Sequence, residues 1–192
     1  MSVLPEFPLL SVALIHYPVY DRNQQLVTTA VTNLDLHDIA RAACTFSVAP
    51  YYVVTPVPAQ QQLVSRIVGH WQEGWGADYN PHRRQALGAI RCCSTLDEAL
   101  KDLRDEHGAE PLVIATGAQP RKGVIGFADL SRRLQHEQRP GLILLGTGWG
   151  LGDEVFDRAD VTLAPISGAG TYNHLSVRSA ASIIFDRLRN QH

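Results

Sequence analysis

The sequence is short of the residues that most often announce a function. Lysine is nearly missing: of the 17 basic residues only Lys101 and Lys122 are lysine, set against 19 acidic residues for a net charge of −2. That balance argues against a binder working through a broad basic surplus. The arginines that make up the rest suit bidentate phosphate contacts, although genome base composition produces the same bias. Cysteine is limited to Cys44 and the adjacent pair Cys92 and Cys93. No C-x-x-C occurs, so a zinc ribbon or thioredoxin-type site has no support, and free thiols in a reducing compartment are expected. The longest apolar runs, such as Gly141-Leu142-Ile143-Leu144-Leu145, fall far short of the roughly 20 residues that span a bilayer. Residues 1–8 carry no basic n-region and no clear cleavage site. A soluble, cytoplasmic protein without a membrane partner is expected. His16, His37 and His174 lack metal-ligand spacing and no H-x-x-x-H occurs, so no metal is expected. No G-x-S-x-G is present to start a serine hydrolase.

What is there is an ordinary globular composition, 45% hydrophobic and 19% charged over 192 residues, enough for one α/β domain with a proper core. Strands and helices alternate. A strand is expected at 9–16, a polar stretch at 21–29, and a helix at 33–47 capped by Asn33 or Asp35. Leu36, Ile39, Ala40 and Ala43 face inward on that helix. A short strand at 51–54 and a helix at 59–71 follow. Residues 73–84 hold Gly74, Gly76, Asn80 and Pro81 with Trp75 and Tyr79, and read as an ordered loop. A strand at 87–93 precedes a helix starting at Thr95, where Asp97 and Glu98 give an N-terminal signature. Three further units pair strand 112–115 with helix 127–136, strand 142–145 with helix 151–158, and strand 161–163 with helix 174–189. Continuous apolar strands suit a parallel sheet covered on both faces. No internal repeat or low-complexity linker divides the chain, so a single domain over 1–192 is expected.

In such a sheet ligands bind at the carboxyl ends of the strands. Four connections therefore matter: 32–38, 116–123, 146–150 and 164–173. Gly146-Thr147-Gly148-Trp149-Gly150 lets a ligand approach the backbone closely. It is not a dinucleotide fingerprint, because Leu151 and Asp153 stand where G-x-G-x-x-G needs its last glycine. Nor is it a P-loop, since no Lys-Ser/Thr pair closes it, and Asp153 and Glu154 would repel a pyrophosphate. A ligand held by backbone groups against Trp149 fits better. Asn173 is well placed to cap the last helix. On that helix Val177, Ala180, Ala181, Ile184 and Leu188 form an inward stripe. Ser176, Ser179 and Ser182 keep a neighbouring face small, and Arg178 in the first turns opposes the helix dipole, which points to a partner for it.

Three segments together resemble the SPOUT, or α/β-knot, methyltransferases. They are Thr32 to Ala43 leading into Tyr51-Tyr52-Val53-Val54-Thr55-Pro56, then Leu144-Leu145-Gly146-Thr147-Gly148-Trp149-Gly150-Leu151, and last Ala164-Pro165-Ile166 through Tyr172-Asn173-His174-Leu175-Ser176-Val177-Arg178. The similarity is greatest to the small bacterial branch of RNA methyltransferases and covers nearly the whole chain. It implies a three-layer α/β sandwich on a parallel sheet, with the C-terminal part threaded through a deep trefoil knot, in a homodimer. It also implies that S-adenosylmethionine is held mainly by backbone atoms of Thr116, Gly117 and Ala118; of Leu145, Gly146, Thr147 and Gly150; and of Ala164, Pro165, Ile166, Asn173, Leu175 and Val177. The implied acceptor is a nucleotide of tRNA or rRNA. Asp35 stands six positions before Arg41, where many members carry asparagine, and no appended RNA-binding domain is seen in the sequence.

Methyl transfer from a sulfonium is an in-line displacement, in which protein groups position the acceptor and take its proton. Arg41 is the candidate for holding the acceptor's phosphate or orienting its base. Asp35, His37 and Asp38 are candidate proton acceptors, with Arg178 near the same place. The competing expectation is a non-catalytic protein binding S-adenosylmethionine or a nucleotide in association with RNA. A dinucleotide oxidoreductase is the weaker alternative, given the glycine spacing.

Overall fold

Leu10–Ile15 is apolar on both faces, as only a strand covered on both sides can be. It forms β1 with every residue buried, its one hydroxyl, Ser11, donating to the Ala49 carbonyl at 3.0 Å. The computed structural model describes residues 8–73 and 75–190. After β1 come β2 (Val19–Tyr20), β3 (Leu26–Val27), α1 (Asn33–Thr45), β4 (Tyr51–Val54), α2 (Pro58–Gln72), α3 (Trp75–Tyr79), α4 (Pro81–Leu87) and β5 (Ile90–Cys93). Then follow α5 (Leu96–His107), β6 (Leu112–Ala115), α6 (Phe127–His136), β7 (Gly141–Gly146), α7 (Asp153–Phe156), β8 (Val161–Thr162) and α8 (Val177–Arg189).

Six strands make one sheet in the order β5-β4-β1-β7-β6-β8, and every pairing within it is parallel. All carboxyl ends therefore lie at one edge. The chain steps from β1 out to β4 and β5, then crosses to β6, so the order reverses between β1 and β7, where ligands of open sheets bind. Two apolar clusters cover the sheet. Leu36, Ile39, Val64, Leu87, Leu130, Ile184 and Phe185 belong to one, bringing α1, α2, α4, α6 and α8 to the same face. Leu96, Ala99, Leu103 and Val155 carry α5 and α7 onto the other. The layered parallel sheet matches the expectation.

Several local expectations change. The stretch 21–29 contains β3, which pairs back onto β2 because the Asp21 carboxylate accepts from the N–H groups of Asn23 (2.8 Å) and Gln25 (2.9 Å) and closes a turn. Of the stretch 73–84 expected as a loop, residues 75–79 form α3 and 81–84 begin α4. Asn80 caps α4 by accepting from the Arg83 N–H at 3.0 Å, with Pro81 in the first helical position, and α4 delays the next strand to Ile90. Gly74, read as part of that loop, and residues 1–7, read for a leader, lie outside the described residues. Thr32, not Asn33 or Asp35, caps α1, its hydroxyl accepting from the Asp35 N–H at 3.2 Å. The helix expected at 151–158 shrinks to α7, since Leu151 bridges Val19 and the Gly152 N–H donates to Pro18 at 3.0 Å. Ser176, not Asn173, caps α8. Asn173 is held elsewhere, donating through its amide to the Ala118 carbonyl at 2.9 Å. Thr95 caps α5 as expected.

Candidate active site

The loops leaving β6, β7 and β8 close on one cavity of about 550 Å³, within the range of small-molecule sites. All thirteen residues that the resemblance assigned to the cofactor line it: Thr116, Gly117, Ala118, Leu145, Gly146, Thr147, Gly150, Ala164, Pro165, Ile166, Asn173, Leu175 and Val177. They come from three loops and the start of α8, up to 61 residues apart in sequence. The glycine-rich turn is needed for its closeness. A Cβ on Gly146 would meet the Leu151 nitrogen at 2.7 Å, and one on Gly148, whose φ is +58°, would meet the Tyr20 carbonyl oxygen at 2.9 Å. The Asn173–Ala118 hydrogen bond ties the loop before α8 to the loop after β6.

The chemistry of the lining is distinctive. Leu145, Leu163, Ile166, Val177, Ala180 and Ile184 make apolar walls. Among the described residues, the N–H groups of Gly117, Ile166 and Leu175 donate to no protein group. No lysine or arginine lines the cavity, and its one carboxylate is Asp35. Apolar walls with free backbone donors suit a nucleoside, and a lining with a carboxylate and no cationic side chain of its own does not suit a phosphorylated ligand. Asp153 and Glu154 do not line the cavity, so they do not exclude a pyrophosphate in the way expected of them. Asp153 is already bound by Arg121 (2.8 Å) and Tyr20 (3.2 Å), which hold its carboxyl below the usual range.

The five candidate catalytic residues are divided by α1. Asp35 is buried and faces the cavity. Its Oδ2 accepts from the Thr32 hydroxyl at 2.7 Å, and its Oδ1 lies 3.4 Å from Arg178 Nε. Arg178 also reaches Asp38 at 3.4 Å, so the two α1 carboxylates offset its unfavourable place at the start of α8. His37, Asp38 and Arg41 open instead onto a separate groove between α1, α2 and α4. There burial, and then the Arg83 charge, push the His37 imidazole below its usual range.

Sequence reasoning missed a second polar chain beneath the cavity. His16, fully buried at the end of β1, faces the Thr29 hydroxyl at 3.0 Å through Nδ1; Thr29 is 2.5 Å from the Thr147 hydroxyl, which donates to the Ile15 carbonyl at 2.9 Å. Each hydroxyl has one proton. Thr147 spends its own on Ile15, so Thr29 donates to Thr147 and His16 donates from Nδ1. Desolvation holds the His16 pKa down at about 4, so the ring is neutral at pH 7. No sequence signal marked it, because its partners are contributed by the segment after β3 and the loop after β7.

The model of the SAM-dependent RNA methyltransferase family matches residues 9–190. The chain belongs to that family. A tRNA (guanine-N(1)-)-methyltransferase of Oleidesulfovibrio alaskensis is 44% identical over 92% of this chain, which spans 41% of that relative's length. A protein of Aquifex aeolicus without an assigned function is 38% identical, with 92% of this chain matching 86% of it. The fold is also that of the Aquifex aeolicus TrmH/SpoU tRNA modifying enzyme (TM-score 0.57, 15% identity, 96% of this chain and 75% of that one). It is shared too with the SpoU methyltransferase AviRb from Streptomyces viridochromogenes, solved in complex with AdoMet (TM-score 0.55, 16% identity, 95% and 60%). The chain thus has the SPOUT fold and spans about two fifths of the length of the first-named relative. Among the described residues no helix is long and apolar enough to cross a membrane, and no three His, Cys, Asp or Glu side chains group as metal ligands.

Proposed function

We propose that this chain transfers the methyl group of S-adenosylmethionine to a nucleotide of tRNA or rRNA, with tRNA favoured by the activity for which its relatives are named. The observation that carries the reading is the single cavity on which three glycine-, proline- and asparagine-bearing loops converge, apolar and free of cationic side chains. Gly117, Ile166 and Leu175 offer N–H groups to the adenine and ribose, and Leu145 and Val177 flank them. When bound, the cofactor supplies an electrophilic methyl group on a positively charged sulfur. Asp35 favours that charge from the α1 side and accepts the proton that the acceptor oxygen or nitrogen loses as its bond to carbon forms. Arg178 and Thr32 fix the Asp35 carboxylate, and Arg41 holds an acceptor phosphate from the outer side of α1. The neutral His16 chain keeps Thr147 in place through Thr29.

The reading includes threading of the C-terminal segment through the loop after β6. The Ile125–Leu163 bridge and the Asn173–Ala118 contact support it, since both bind residues beyond β8 to that loop. It also includes a homodimer, supported by exposed Tyr172 and Leu175 near the cavity mouth, and a cytoplasmic location, supported by the tRNA activity for which its relatives are named. Titration calorimetry with S-adenosylmethionine and S-adenosylhomocysteine is the first test, followed by transfer of labelled methyl groups into tRNA and rRNA. Binding of both ligands and incorporation into one nucleoside, identified by mass spectrometry, is expected. Binding of neither ligand sinks the cofactor; binding without incorporation leaves the non-catalytic RNA-associated reading.

A further inference from the structure

The cofactor cavity leaves unexplained the groove on the outer side of α1. Arg41, Arg66 and Arg83, from three different helices, converge on it together with His37, His70 and Trp71. Elsewhere, among the described residues, eight of the other twelve arginines lie within 4.0 Å of a carboxylate. Among the described residues none of the three groove arginines has an acidic partner, and the one carboxylate of the groove, Asp38, is engaged by Arg178. A chain of net negative charge thus leaves three guanidiniums facing one concavity, where they repel one another unless an anion joins them. Two buried nitrogens of the same groove, Arg83 Nε and His37 Nδ1, have no hydrogen-bond partner.

The occupant must also tolerate apolar surface. Exposed Leu34 and Leu63 line the groove, and the Trp71 ring lies under Arg83 at 4.8 Å. Beside it, α3 presents Trp75 and Tyr79 stacked at 4.6 Å and exposed by 72% and 70%. α3 adjoins the groove closely: a Cβ on Gly76 would come 2.9 Å from the Trp71 ring. Spaced cations next to a free aromatic stack are what a single-stranded nucleic acid engages, phosphates on the first and bases on the second.

We propose that the groove between α1, α2 and α4 is an RNA-backbone site, in which Arg66 and Arg83 extend Arg41 to hold phosphates of the single-stranded stretch beside the target nucleotide, its bases stacking on Trp75 and Tyr79. The inference rests on the reading of RNA as acceptor. It adds where the strand runs: across the start of α1, with the target at the Asp35 side and its neighbours at the Arg41 side.

Fluorescence anisotropy with unfractionated tRNA and with a short oligouridylate, over a range of salt, tests it. Arg66 is exposed and holds no other group of the protein in place, so Arg66→Glu should leave Tm unchanged and weaken binding at least about tenfold near 0.1 M salt. Arg66→Ala with Arg83→Ala should weaken it further and make the salt dependence shallower by about 1.4 in log–log slope, or about 0.7 for each phosphate no longer neutralised. Affinity for S-adenosylmethionine should stay within about twofold, since neither residue lines that cavity. Unchanged slopes in both variants overturn the groove. So does a change in sedimenting mass at unchanged slope, which would make the surface an interface between chains. Wild-type protein that binds S-adenosylmethionine but neither RNA fails at the earlier step, the acceptor itself.

Discussion

The two sides of α1 differ in chemistry. On one side lies a cavity of apolar walls, unengaged backbone donors and a single carboxylate, Asp35. On the other lies an open groove where Arg41, Arg66 and Arg83 meet without acids of their own. One helix supplies both, because Asp35 and Arg41 lie six residues apart and so project from different sides. The contrast is one of charge: the cavity lining has no cationic side chain, and the groove gathers three, which is the basis for proposing a sulfonium on the first side and a polyanion on the second.

The largest expected effect breaks the cavity side. Asp35→Asn should lower kcat about 100-fold or more while weakening S-adenosylmethionine binding no more than about fivefold, measured by single-turnover transfer and calorimetry. An equal loss in both would make Asp35 a cofactor ligand only. Next comes the polar chain under that cavity. His16 has a folded pKa of about 4 against 6.5 unfolded, so the unfolded state binds the extra proton. Its contribution is full above about pH 6.5 and is lost as pH falls to about 4, by up to roughly 3 kcal/mol. Urea unfolding across that window should show the slope, and His16→Asn should flatten it.

Gly146→Ala is expected to cost about 1–3 kcal/mol, since its Cβ meets backbone at Leu151 rather than a yielding side chain. Calorimetry should show a weaker S-adenosylmethionine complex, while RNA binding in the groove persists. Asn173→Ala removes one hydrogen bond to Ala118 and should weaken the cofactor about fivefold, near 1 kcal/mol. The smallest effect sharpens the contrast instead of breaking it. S-Adenosylmethionine affinity should hardly move between low and moderate salt, because no cation lines its cavity, whereas RNA binding should fall steeply.

Much of the fold is legible in local sequence. Strand 51–54, strand 112–115 and helix 127–136 have the expected bounds because their apolar runs and flanking turn residues agree locally. The thirteen cavity residues were gathered by resemblance and not by periodicity, yet every one reaches the same cavity. The caps were less legible. Thr32 and Ser176 displaced the expected capping residues because Asp35 and Asn173 are drawn into contacts with Arg178 and Ala118, both distant in sequence. α3 and α4 hid behind glycine and proline, although Asn80-Pro81 is itself a helix start.

By itself the sequence determined the alternation of the sheet strands with their larger helices, the doubly covered parallel sheet, and the failure of the glycine-rich turn to hold a pyrophosphate through lysine. Those properties follow from near-neighbour residues and from the period of apolar side chains. Only the tertiary structure decided which charges meet. It brought Arg178 to Asp35, across 143 positions, gave His16 a hydroxyl chain, and separated Arg41 from the cavity that Asp35 faces. Electrostatic partners act through space at a few ångströms, and the fold sets that distance with no record in local sequence.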